Sequence, residues 1–249
     1  MLRFYGGMLR IYLLDILRGL SELAMMFYHF FWDLGYFKFI DLETMTRGLP
    51  LLFAQSVGAS FIVISGISSK LLYLSDNFIA KFLKRLGILL FICALITAVT
   101  FFFDKNSYIF FGILHLLATC SVLGLLLNTV RNNFILFLFF ILSLVVSLSQ
   151  LTFDLPNHLS WIGFNKEVPM TYDFYPLFPW VTFYLFGLWV YQPVKSYLVP
   201  NKKNNNPDLS NYNSIFRILQ FLGRNSLTVY ILHQPIFFSL FFIFIQLTS

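Results

Sequence analysis

The chain has 249 residues, of which 58% are hydrophobic, 20% aromatic and 11% charged, and it carries a formal net charge of +6. Soluble domains are roughly a quarter charged, so this composition excludes an ordinary soluble globular protein and makes lipid the main solvent. It also excludes nucleic acid as a partner, because the basic residues lie in short connections between apolar runs, where they set orientation in a membrane.

Apolar runs near the ~20 residues that span a bilayer recur in order: Ile11 to Phe37, Leu49 to Leu72, Phe82 to Phe103, Tyr108 to Leu127, Phe134 to Phe153, Tyr175 to Tyr191 and Ser226 to Leu247. They predict an all-α polytopic membrane helix bundle of about seven transmembrane helices, in a single domain over residues 1–249. The positions Arg3, Arg10, Lys70, Lys81, Lys84, Arg85, Arg131, Lys195, Lys202, Lys203, Arg217 and Arg224 fall on one side, against Lys38, Arg47, Lys105 and Lys166 on the other. The positive-inside rule then puts the N-terminus in the cytoplasm and the C-terminus outside.

The stretch before Asp15 has no uninterrupted apolar core and no small-residue cleavage site, so the first helix is expected to stay in the mature chain. Cys93 and Cys120 lie inside apolar runs as packing residues, and no CxxC or Cys/His cluster suggests a metal. Residues 199–213 read as a cytoplasmic linker, followed from Asn213 to Arg224 by a short amphipathic interfacial helix. The longest external loop, Asp154 to Asp173, holds His158, Trp161, Lys166 and Glu167 and is the natural place to meet an extracytoplasmic ligand. No internal repeat is present, which weakens an inverted-repeat transporter.

The first helix carries the chemistry. Asp15, Arg18, Glu22, His29 and Asp33 fall within roughly 60° of one another at about 100° per residue. Charged groups in a bilayer core are costly, so this face must look into the bundle or into a wet cavity. Two readings stay open. The five can be structural pairs: Asp15 with Arg18, Arg18 with Glu22, His29 with Asp33. Alternatively they serve a reaction, with Asp15 and Arg18 near the cytoplasmic mouth and His29 and Asp33 about 20 Å further on. His29 is then a general base whose imidazolium Asp33 orients and stabilises. Arg18 either anchors an anionic donor or neutralises Asp15 and Glu22.

Other polar positions weigh less. His115 and His233 sit within apolar helices, where packing histidines compete with cavity-lining ones. Ser65, Gly66, Ser68 and Ser69 chiefly allow close helix packing, and Pro176 and Pro179 open the sixth helix, where a missing N–H costs little.

Arg10, Asp15, Arg18, Gly19, Met26 and His29, continued by Asp33, resemble the first-helix signature of the heparan-α-glucosaminide N-acetyltransferase catalytic-domain family. The ten-residue interval between Arg18 and His29 is similar to the arginine–histidine motif of acyltransferase family 3, in the same transmembrane acyltransferase superfamily. FIVISGIS (61–68), FGILHLLA (111–118), FYPLFPW (174–180) and LGRNSLTVYILHQPI (222–236) follow in matching order. The resemblance implies transfer of an acyl group, acetyl above all, from cytoplasmic acyl-CoA to a sugar or glycan acceptor on the far side of a bacterial inner membrane. It implies no permanently bound cofactor and is compatible with a homodimer. The first external loop, Leu34 to Leu49, holds no histidine, so the catalytic role goes to His29 with Asp33. Asp15 and Arg18 then organise the donor, and Glu22, His115 and His233 line the cavity. A proton-coupled transporter and a non-catalytic membrane partner are the alternatives.

Overall fold

The computed structural model describes residues 4–5, 8–9, 12–198 and 214–248. Arg10 of the first-helix signature and the 199–213 linker lie outside the described residues. Apart from a two-residue antiparallel pairing of Phe4–Tyr5 with Met8–Leu9, the regular structure is helical: α1 (Tyr12–Tyr36), α2 (Gly48–Tyr73), α3 (Phe78–Phe103), α4 (Ile113–Leu127), α5 (Asn133–Leu148), α6 (Leu177–Leu198), α7 (Ser214–Arg224) and α8 (Ser226–Thr248). It is an all-α helical membrane bundle. Among the described residues α2, α3 and α8 are long and apolar enough to cross a membrane on length and composition alone. At 25 and 22 residues α1 and α6 have the length, but both are interrupted by polar side chains.

Two expected spans are shorter than the sequence suggests. The fourth helix begins at Ile113 and not near Tyr108, because the preceding backbone is extended and hydrogen-bonded to the loop before α6: Tyr172 N–H to Ser107 O at 3.0 Å and Tyr175 N–H to Phe111 O at 3.1 Å. The Asp173 carboxylate then accepts from Ile113 N–H at 2.9 Å and caps the helix from 60 residues away. The fifth helix starts where Asn132 accepts from Phe134 N–H at 2.9 Å and stops before Gln150, whose φ is 50°. At 15 and 16 residues, α4 and α5 are about 22–24 Å long, below the ~30 Å hydrocarbon thickness.

The described chain forms two compact units. One contains α1, the first half of α2 to Phe61, α7 and α8. The other runs from Ile62 of α2 to Lys195 of α6. In the second unit Gly66 and Gly187 let α2 and α6 cross with backbones touching, since a Cβ at Gly66 would strike Tyr184 O and one at Gly187 would strike Val63 O. This accounts for the small-residue run of α2. Cys93 and Cys120 are buried and free.

The first unit inverts the soluble pattern. On α1 Leu13, Leu17, Leu20, Leu23, Phe27 and Phe30 are exposed at helical spacing, whereas Asp15, Glu22 and Asp33 are 6%, 1% and 0% exposed. A helix that hides its carboxylates and shows its leucines suits lipid outside and polar contacts within. α8 follows suit, with Leu232, Ile236, Leu240 and Ile243 exposed and His233 buried.

Candidate functional site

The site is built in the unit of α1, α7 and α8. Near the start of α1, Arg18 Nη1 lies 3.1 Å from Asp15 Oδ1, and Arg224, the last residue of α7, brings Nε to 3.5 Å from Asp15 Oδ2. One carboxylate thus faces two guanidinium groups, and the cluster is net positive. α7 reaches this position because Gly19 and Gly223 lack side chains: a Cβ on Gly19 would strike the Leu219 carbonyl, and one on Gly223 the Asp15 carbonyl. The amphipathic segment expected at 213–224 is therefore a helix tightly docked on α1. Gln220 and Gly223 are buried, while Ile215, Ile218 and Phe221 are left exposed.

About 22 Å along α1 from Arg18, at ~1.5 Å per residue, Asp33 Oδ1 accepts a hydrogen bond at 3.0 Å from Gln234 Nε2 of α8. His29 lies with its ring centroid 4.9 Å from that of His233. The His233 Nδ1 is 2.7 Å from the Tyr230 carbonyl, so Nδ1 carries the proton and Nε2 presents a lone pair. That Nε2, the His29 Nδ1 and the second Asp33 oxygen are buried with no hydrogen-bond partner among the described residues. His29 and Asp33, expected to pair one turn apart, make no hydrogen bond to each other. The Asp33 carboxylate is taken by the neighbouring helix instead.

Pro235 lies inside α8 and removes the N–H that would bond the carbonyl four residues back, breaking one rung of the ladder beside His233 and Gln234. Glu22, between the two clusters, is buried with Oε2 unpartnered. The expected Arg18–Glu22 pair does not form, because Arg18 is on Asp15.

His115 belongs to the other unit and to the first turn of α4. Its Nδ1 accepts from Gly112 N–H at 3.3 Å, which puts the proton on Nε2, 3.2 Å from Thr97 Oγ1. Thr97 in turn donates to the Ile109 carbonyl at 2.8 Å. Both ring nitrogens are used in pinning the 109–112 backbone to α3 and α4. The 154–173 loop is also well anchored: Thr171 Oγ1 donates to Tyr108 O at 2.8 Å and Tyr172 OH to Asp104 Oδ2 at 3.0 Å. His158 on that loop is exposed.

Sequence reasoning missed Gln234, the docking of Arg224 on Asp15 and the Asp173 cap. Gln234 stands beside His233 in the 222–236 motif, and a polar residue next to a buried histidine on an apolar helix was the available signal.

Fold and site together define an integral membrane protein with an ionisable cluster enclosed by its helices. Residues 10–235 match the family described as heparan-alpha-glucosaminide N-acetyltransferase, catalytic. The chain belongs to this family, a membrane N-acetyltransferase-like family with a transferase-type catalytic domain. No curated protein and no solved structure matches it.

Proposed function

We propose that the protein transfers an acyl group, acetyl foremost, from acyl-CoA at the cytoplasmic face of a bacterial inner membrane to a sugar or glycan acceptor on the other side, with its N-terminus cytoplasmic. The observation that carries this reading is the meeting of His29 with His233 beside the Asp33–Gln234 bond, inside the α1–α8 contact and away from lipid. Family membership supports the reaction class.

In the proposed step, His29 accepts the proton of the acceptor amine or hydroxyl as that group attacks the thioester carbonyl. The carbon–sulfur bond then breaks, and the proton returns to the departing thiolate, so that free CoA leaves. Asp33, held in place by Gln234, lies about 6 Å along the helix and stabilises the imidazolium. His233 Nε2 and Glu22 Oε2, both buried without a hydrogen-bond partner among the described residues, are the polar groups of this unit assigned to the substrate side of the step. The net positive Asp15–Arg18–Arg224 cluster draws the phosphate-bearing donor to the opposite end of α1. His115 has no part in this step, since both its ring nitrogens are occupied.

The test is release of CoA thiol from acetyl-CoA by the purified protein on adding glucosamine-terminated oligosaccharides. Acceptor-dependent thiol release is expected. Flux of a solute coupled to a pH gradient, with no thioester consumed, would establish a transporter instead.

A further inference from the structure

The α1–α8 contact holds two ring nitrogens without partners. His233 is 5% exposed, and its Nδ1 lies 2.7 Å from the Tyr230 carbonyl. A carbonyl oxygen can only accept, so Nδ1 is the protonated nitrogen and Nε2 is an acceptor. That Nε2 is buried and meets no donor among the described residues. The His29 Nδ1 is buried and unmatched in the same way, and the two ring centroids are 4.9 Å apart with their planes at 51°.

The neighbouring groups do not answer for either nitrogen. Gln234 Nε2 donates to Asp33 Oδ1 at 3.0 Å, and the atoms left over on those two side chains, Asp33 Oδ2 and Gln234 Oε1, are themselves unmatched acceptors. Tyr28, whose ring also touches His29, donates its hydroxyl to Met45 O at 3.1 Å. Among the described residues the cluster thus has three open acceptors, His233 Nε2, Asp33 Oδ2 and Gln234 Oε1, and one nitrogen, His29 Nδ1, that can serve as the donor. Buried polar groups are costly unless paired. A proton on His29 Nδ1 reaches His233 Nε2 by a turn of the imidazole about its last side-chain torsion, which has a broad minimum. Asp33 Oδ2 competes for that proton, but Gln234 draws its carboxylate to α8, whereas the His233 ring stands against His29.

We infer, resting on the transferase reading above, that His233 is the positioning residue of His29: His29 Nδ1–H donates to His233 Nε2, which fixes the tautomer and leaves His29 Nε2 as the base. When Nε2 takes the proton of the attacking group, the ring becomes an imidazolium and the same hydrogen bond becomes charge-assisted and stronger. The Nδ1 proton stays on His29, His233 stays neutral, and the proton taken by Nε2 goes on to the departing thiolate. The role is that of the orienting carboxylate in a hydrolytic triad. Here a neutral acceptor fills it, which adds no charge at membrane depth. Asp33 acts on the imidazolium from further off, through its charge.

The test uses the purified full-length protein in detergent, labelled with heavy nitrogen at its four histidines, with the ring signals assigned by single substitutions. In the neutral wild type both His29 and His233 are expected to carry the proton on Nδ1. His233→Phe keeps a ring but no acceptor, so His29 should lose that tautomer preference. Its kcat for thiol release should fall about tenfold to a hundredfold, the range for losing a hydrogen bond to a charged group, with KM for the acceptor nearly unchanged. His233→Gln puts an acceptor back at the Nε2 position and should recover most of kcat; a packing role would rank the two variants the other way. Melting temperatures check that the variants fold. Asp33→Asn, in which the His29 tautomer should persist, carries the test if His233→Phe does not fold. A wild-type His29 protonated on Nε2, an unchanged kcat in folded His233→Phe, or a tautomer lost in Asp33→Asn overturns the inference and leaves the transferase reading standing. A tautomer that depends on His233, in a protein that consumes no thioester, supports the histidine pair and removes the transferase reading.

Discussion

Gln234 donates to Asp33 at 3.0 Å across 201 residues of chain, and this bond joins the last helix to the first at the level of the two histidines. Asp33 is fully buried, so its carboxylate depends on that donor. Gln234→Ala is expected to lower stability by about 1.5–3 kcal/mol, the usual range for a hydrogen bond to a charged group. Asp33→Asn, which has no charge to satisfy, should cost less. Melting temperatures of the two variants in one detergent check the order. A milder effect for Gln234→Ala than for Asp33→Asn would mean that the amide is not what holds the carboxylate.

Gly223 and Gly19 set how closely α7 approaches α1. In each case the atom that a new Cβ would meet is a backbone carbonyl, which cannot rotate aside. Gly223→Ala is therefore expected to destabilise the protein by about 1–3 kcal/mol and to draw Arg224 away from Asp15. Gly87→Ala is the control, because nothing lies within 4 Å of a Cβ there, and a helix interior slightly prefers alanine. Equal melting temperatures for Gly223→Ala and Gly87→Ala would contradict the close α1–α7 crossing.

The polar face of α1 was legible in the sequence because helical periodicity alone puts Asp15, Glu22 and Asp33 on one side, and lipid forces that side inward. Partner choice was not legible. Asp33 has His29 one turn away on its own helix, yet Gln234 on α8 takes it, since the geometry of a neighbouring helix cannot be read from spacing within α1. Helix ends failed for a similar reason. Tyr108 to Gly112 is apolar enough to continue α4, but its backbone is committed to the 172–175 segment, and the Asp173 cap comes from far along the chain. In the small-residue run at 65–69, Gly66 sits at the α2–α6 crossing, while Ser69 accepts a hydrogen bond from Asn128 at 2.8 Å, a partner 59 residues away that spacing within α2 could not reveal.

Asp173 gives the fold a pH signature outside the spans. Burial pushes its carboxyl from 3.8 up to about 6, against the lowering effect of the hydrogen bond from Ile113 N–H. The folded state therefore favours the protonated acid. The stability this group contributes is full below its unfolded pKa and is lost as pH rises through about 6. Asp173→Asn keeps an oxygen for Ile113 N–H and carries no charge. Its melting temperature relative to the wild type should rise between pH 4 and 7, whereas a difference independent of pH would show that the carboxyl titrates normally. Asp173→Ala loses the cap and should cost about 1 kcal/mol.

The central claim is that His29 accepts the proton of the attacking group. The most direct measurement is acceptor-dependent thiol release from acetyl-CoA by His29→Ala and wild type, compared at equal membrane abundance and equal melting temperature. The variant is expected to bind acetyl-CoA but to release thiol at least a hundredfold more slowly, as follows from loss of a general base. Turnover at the wild-type rate would contradict it and take His29 out of the reaction.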